Sequence, residues 1–221
     1  MQSLVDGTST LALRSDAKKK TLIATERLRP EVQKLCEEFI VLAPTLDPEK
    51  LVFLDESASH IAMTPDYARA PRGQRVEDDV PRNRGTATTM IGALGVAGLL
   101  GMMTIEGGTD TPVFEAFVEH LLLPKLKPGD IVVLDNVGAH RPAHIRTLVE
   151  SVGAKLLFLP PYSPDLNPIE ECWSKLKAKL KCIAARTRES LDDAIARAMT
   201  FITPSDAAGW FRHCGYSAQA A

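Results

Sequence analysis

KLLFLPPYSPDLNPIEECWSKLKAKL, residues 155–180, runs a short apolar segment into a proline-rich turn and then into a helix. Leu156 to Leu159 read as a buried strand, and Asn167-Pro168 opens an amphipathic helix whose first turn carries Glu170 and Glu171. At 100° per residue from Ile169, the side chains of Ile169, Trp173, Leu176 and Leu180 fall at about 0°, 40°, 340° and 20°, a single apolar stripe. Glu171, near roughly 200°, faces away from that stripe. Glu170, near roughly 100°, and Lys177, near roughly 80°, share its flank, where a carboxylate can look into a cleft beside a sheet.

Acids in a first helical turn often do no more than complement the helix dipole. Two further carboxylates change the reading. Asp55 ends the apolar run LVFLD (51–55) and Asp135 ends IVVLD (131–135). Short continuous apolar runs are read as central strands, and an acid at the C-terminal end of such a strand sits where open α/β sheets place their sites. Either aspartate alone could simply start a turn. Two matching strand ends and a helix-borne glutamate form a constellation.

A chain of 221 residues buries one substantial core, with room for a small appendage. Its formal net charge of −2 is not that of a general nucleic-acid coat protein, so any DNA contact must come from local patches. The four cysteines (Cys36, Cys172, Cys182, Cys214) lack CxxC spacing and read as reduced packing residues. No signal-peptide core is visible, and the longest apolar run, 90–105, is broken by glycines and shorter than a span of about 20 residues. A cytoplasmic location is the expectation.

Taken in order, residues 1–20 read as a loose arm ending in Lys18-Lys19-Lys20. One amphipathic helix is predicted from Thr25 to Leu42, followed by the strand ending in Asp55. A long mixed-charge connection then carries Arg69, Arg72, Arg75, Arg82 and Arg84, with a short strand around Ile61 to Met63. A hairpin over 87–94 and 97–105 comes next, then a helix from Thr111, its N-cap, to Leu123. The strand 131–135, a helix 141–151, the strand 155–159 and the Glu170 helix complete the pattern. Helices from Ser190 to Ile202, with Asp193 completing a capping box, and from Pro204 to Cys214 form a C-terminal extension. This divides the chain into an arm and linker helix (1–48), a catalytic domain (49–185) and a helical extension (186–221).

Two aspartates and a glutamate offer hard oxygen ligands, which suit Mg²⁺ or Mn²⁺ completed by water and phosphate oxygens. Two such ions, about 3.5–4 Å apart, can serve both the attacking and the leaving oxygen of a phosphodiester. The reaction class is phosphoryl transfer on nucleic acid.

LVFLDES, VVLDNVGAH and LPPYSPDLNPIEECWSKLK resemble the three catalytic blocks of the DDE transposases of the Tc/mariner superfamily, in its bacterial insertion-sequence branch. Thirty-four residues lie between Asp135 and Glu170, the spacing that family shows, and YARAPRGQR (67–75) is similar to its connection after the first acid. The resemblance implies an α/β, ribonuclease H-like fold: a mixed five-stranded sheet flanked by helices, with the first and fourth strands adjacent. It implies Asp55, Asp135 and Glu170 as the metal-binding catalytic triad, with Asn136 and His140 in support. Water would cut DNA at the element ends, and the freed 3′-hydroxyl would attack target DNA at a TA dinucleotide. Double-stranded DNA and a second copy of the chain, as a homodimer, are the implied partners.

Asp165 competes as third acid but is expected to cap the Glu170 helix. His140 and His144, four apart, lack the further ligands a zinc site needs. Arg72, Lys175 and Lys177 are the expected DNA contacts, Lys177 because it shares the flank of Glu170. The family generally carries helix-turn-helix modules before its catalytic domain, and the first fifty residues cannot build one. Another reading frame would supply it, or the copy is truncated. Two other readings stand beside transposition: a ribonuclease H-like endonuclease without strand transfer, and an inactive remnant that binds DNA or a partner transposase.

Overall fold

The structure, a computed structural model, describes residues 24–135 and 142–217. Five strands form one sheet: β1 (Leu51–Ser59), β2 (Thr88–Gly95), β3 (Gly98–Glu106), β4 (Ile131–Leu134) and β5 (Lys155–Phe158), in the spatial order β3-β2-β1-β4-β5. β1, β2 and β3 pair antiparallel, whereas β4 and β5 run parallel to β1. The expected order of three strands and then alternating helices and strands is observed, and the first and fourth strands are neighbours.

Alternation along β1 divides the core. Leu51 and Phe53 face a layer containing α1 (Pro30–Leu42), α4 (Pro168–Ile183), α5 (Arg188–Met199) and α6 (Pro204–His213). Val52 and Leu54 face the opposite layer, with α2 (Thr111–Phe117) and α3 (Pro142–Ser151). The C-terminal helices therefore share a core with α4 and the sheet. Phe53 meets Phe211 edge-on at 5.3 Å and Tyr216 at 5.0 Å.

Several boundaries differ from expectation for local reasons. The predicted helix from Thr25 is two pieces, a 3₁₀ turn (Thr25–Leu28) and α1, because Pro30 excludes the helical conformation from Arg29, which is extended at φ −67°, ψ 135°. β1 runs four residues past Asp55, its polar half held by pairing with β2, so Asp55 lies within a strand and not at its end. Ile61 to Met63 form a turn, not a strand. Asp110, not Thr111, caps α2 by accepting the Val113 N–H at 3.0 Å. Thr187 and Ser190 form the capping box of α5, in which Ser190 takes the part expected of Asp193. Cys36, Cys172 and Cys214 are buried free thiols, as packing residues should be, while Cys182 is an exposed one. Among the described residues, no helix is long and apolar enough to cross a membrane.

Candidate active site

The parallel β1–β4 pair ends its register at Leu54 and Leu134. Asp55 and Asp135 are the next residues, so the two acids stand side by side where the parallel pairing stops, Asp55 within β1 and Asp135 just past β4, at an interstrand spacing of about 4.8 Å. Both fall on the face of Phe53 and Val133, the face covered by α4.

α4 is placed by its apolar stripe. Ile169, Trp173, Leu176 and Leu180 are all buried, and Glu171 is exposed, as the wheel requires. The turn before it is stiff: Leu159 N–H extends the β4 pairing by donating to the Leu134 carbonyl at 2.8 Å, and Pro160, Pro161 and Pro164 restrict the backbone between β5 and α4. Tyr162 adopts a left-handed conformation, φ 58°. Ser163, buried, lies 3.2 Å from the Cys36 sulfur, which fastens the turn to α1. Tyr216 Oη donates to the Leu166 carbonyl at 2.7 Å. Asn167 occupies the cap position of α4 without a side-chain cap bond, and Pro168 takes the first helical position.

The result is a cleft of about 730 Å³ between α1 and this turn, with Asp135 and Glu170 among its lining residues and Arg29, Leu35 and Tyr162 in its walls. Asp55 adjoins it. Burial, reinforced by the charges of Glu170 and Asp135, pushes the Asp55 carboxyl up to about 7, against the opposing hydrogen bonds from the Glu56 backbone and the Trp173 indole. Glu170 is exposed at the rim, yet the protein around its carboxyl raises its pKa, with Asp135 adding to the rise and Lys177 opposing it. The three acids of the expected triad thus act on one another, and Lys177 acts on Glu170 as their shared flank implied.

Among the described residues, no group of three or more His, Cys, Asp or Glu side chains is placed to hold a metal ion. The donor set nevertheless fits Mg²⁺ or Mn²⁺, which take few protein carboxylates and keep several waters. Three hard carboxylates gathered on one face repel one another, and a divalent cation between them would relieve that repulsion.

Other expected residues have different fates. Asn136 and His140 lie outside the described residues. Asp165 does not cap α4; it sits in a 3₁₀ turn and pairs bidentately with Arg27 at 2.5 and 2.8 Å. Lys175, expected at a phosphate, is instead held by Asp206 at 2.5 Å, so its charge is already matched across α4 and α6. Lys181 reaches Asp66 at 2.7 Å, and Arg186 donates to the carbonyls of Ile61 and Met63, so much of the basic run pins down the loop after β1. Arg72 lies on the exposed part of that loop. Sequence reasoning missed Trp173 as a polar partner: its indole N–H donates to Asp55 Oδ2 at 3.1 Å. A tryptophan one turn after an acid at a strand-facing helix start was the available signal, and the apolar stripe absorbed it.

A mixed sheet in this order, with acids leaving its central parallel pair and a third acid on the covering helix, defines the ribonuclease H-like class of α/β domain. Within that class, the chain belongs to the DDE superfamily endonuclease family, whose model matches residues 50–192. It is 32% identical over 78 residues to the Tc1 transposase of Caenorhabditis elegans and 33% identical over 85 residues to the Tcb1 transposase of Caenorhabditis briggsae. Those matches span 35% and 37% of this chain but only 29% and 31% of those proteins. In fold it is similar to the Mos1 transposase in a pre-cleavage transpososome (TM-score 0.70, 16% identity, 92% of this chain and 65% of that one). The isolated catalytic domain of Mos1 mariner transposase is also similar (TM-score 0.59, 14% identity, 87% and 90%).

Proposed function

We propose that this chain is the catalytic domain of a Tc/mariner-type transposase of the insertion-sequence branch, cutting DNA at element ends and joining the freed 3′-hydroxyl to target DNA. The observation that supports this reading is that Asp55 and Asp135 follow the last paired residues of two adjacent strands, while Asp135 and Glu170 line one cleft. Asp55, Asp135 and Glu170 would hold the divalent ions, two in number. Bound there, Mg²⁺ or Mn²⁺ supplies Lewis-acid stabilisation to the oxygens of the phosphodiester. Related Mos1 structures described with Mn and with Mg support that choice of ion.

The remaining work falls to this chain's own side chains. The Pro-rich turn and α1 wall the cleft so that a DNA strand approaches Asp135 and Glu170 from one side. Lys177, beside Glu170, and Arg72, on the loop after β1, supply positive charge for the flanking phosphates. A TA target, a homodimeric active complex and a helix-turn-helix module encoded in another reading frame complete the reading.

The test is a strand-transfer assay with Mn²⁺ and pre-cleaved element ends, the chain being fused to a DNA-binding module. Joined product that disappears in Asp135→Asn, with folding intact, is the expected result. Cleavage without joining would favour a ribonuclease H-like endonuclease. Neither cleavage nor joining in wild type or in Asp135→Asn would favour a remnant that only binds.

A further inference from the structure

Trp173 occupies a place in this site that its burial alone does not require. A buried indole N–H needs an acceptor, and in most cores a backbone carbonyl serves. Here the acceptor is Asp55, one of the three candidate ligands, at 3.1 Å, and the ring itself is 1% exposed. Trp173 also stands three residues after Glu170 on α4, one turn along the same helix. A single side chain therefore bridges the helix bearing the third acid to the strand bearing the first.

The sheet makes room for this bridge at one point. Gly92 on β2 is the register partner of Asp55. A Cβ built on Gly92 would lie 2.6 Å from Trp173 Cη2 and 3.2 Å from its Cζ2, too close for either to stay where it is. Gly92 is not in a left-handed conformation, so its glycine is explained by this close approach and not by the backbone. The indole lies in the gap left by the missing side chain, and its N–H then reaches the neighbouring strand.

We propose that Trp173, seated on Gly92, is a positioning residue that fixes the carboxylate of Asp55 and, through α4, its spacing from Glu170. The inference rests on the reading of these acids as divalent-ion ligands. Held by the indole N–H at Oδ2 and by the Glu56 backbone N–H, Asp55 presents its carboxylate in one orientation instead of several. The rotation and height of α4 over the sheet are set by the same contact, so the first and third acids are aligned before any substrate arrives.

The experiment measures Mn²⁺ binding to the whole chain, from the free Mn²⁺ signal in electron paramagnetic resonance, alongside thermal melting. Wild type and Asp55→Asn come first: binding that is absent, or unchanged by Asp55→Asn, would sink the divalent-ion reading and this inference with it. Trp173→β-(3-benzothienyl)alanine keeps the ring shape and replaces the N–H by sulfur. It should fold like wild type and bind Mn²⁺ about 10–100-fold more weakly, the usual loss for an outer partner of a metal ligand. Gly92→Ala, which retains every polar atom, should show the same loss by displacing the ring. Trp210→Phe, on α6 and not among the residues lining the cleft, serves as the control and should bind as wild type. Mn²⁺ affinity within twofold of wild type in the benzothienyl variant would overturn the positioning role while leaving the metal reading intact. Full affinity in Gly92→Ala would overturn the part assigned to the socket.

Discussion

Asp55 on β1 and Glu170 on α4 stand close enough that the charge of Glu170 is, after burial, the largest influence raising the Asp55 pKa to about 7 from 3.8. The folded protein consequently keeps a proton on Asp55 that the unfolded chain releases between those two values. The stability this confers is complete below about pH 4 and is lost as pH rises through about 7, because ionised Asp55 is disfavoured in the fold. At 1.36 kcal/mol per pK unit the span is on the order of 4 kcal/mol. His60, whose pKa is lowered by burial, acts in the opposite sense near its own range, so the contrast with Asp55→Asn isolates Asp55. Urea unfolding in chelator at pH 4.5 and pH 8 should show wild type losing stability across that interval, and Asp55→Asn losing much less. The same slope in both proteins would remove the assigned cause.

A divalent ion should reverse that loss. At a Mn²⁺ concentration a hundredfold above its dissociation constant, binding to the folded state alone adds about 2.7 kcal/mol. Melting at pH 8 should therefore shift upward with Mn²⁺ in wild type, and the shift should vanish in Asp55→Asn and in Asp135→Asn. An equal shift in all three would place the ion elsewhere.

Glu170 and Glu171 are adjacent in sequence but differ in surroundings: Glu170 lines the cleft and feels Asp135, whereas Glu171 is exposed and does not line it. Glu170→Gln should lower DNA cleavage by more than the roughly 10–100-fold that loss of an outer-shell partner costs. Glu171→Gln, a surface change, should leave the rate within about twofold. Comparable losses in both, measured with Mn²⁺ on a nicking substrate, would show that the helix presents its other face to the substrate.

How far the sequence disclosed this arrangement depends on the period of each pattern. Continuous apolar runs located β1, β4 and β5, and the stripe through Ile169, Trp173, Leu176 and Leu180 oriented α4 correctly. The second half of β1, Glu56 to Ser59, was illegible because its stability comes from pairing with β2 and not from its own composition. The same limit hid the partners of Lys175, Lys181 and Arg186, whose acceptors lie far off in the chain. Trp173 was placed in the core correctly, but no periodicity reports where an indole N–H points.

Tyr216 ties the C-terminal end to the turn that leads into α4. Its hydroxyl is buried and donates to Leu166 O, and its ring packs on Phe53. Tyr216→Phe keeps the ring and leaves a buried carbonyl unpaired, which should cost about 1–3 kcal/mol in denaturant unfolding. A change under about 0.5 kcal/mol, the usual scale of surface substitutions, would mean that the carbonyl finds another donor.

Asp165 offers the sharpest separation between a structural acid and a proposed catalytic one in this segment, because it lies five residues from Glu170 and rivals it in the sequence for the third position. Its carboxylate is engaged by both terminal nitrogens of Arg27, whose side chain is 21% exposed against 53% for Asp165. A bidentate pair of this kind orders the 3₁₀ turn against the segment before α1, but partial exposure limits its worth to about 0.2–1 kcal/mol. A double-mutant cycle of Arg27→Ala and Asp165→Ala should return a coupling within that range, diminished by added salt. Because Asp165 is held by Arg27, and Glu170 acts on Asp55 in β1 and feels Asp135 just past β4, Asp165→Asn should retain most Mn²⁺-dependent cleavage where Glu170→Gln does not. If Asp165→Asn instead abolished cleavage without unfolding the protein, the third acid would have to be reassigned to the turn, and the orientation of α4 would no longer explain the site.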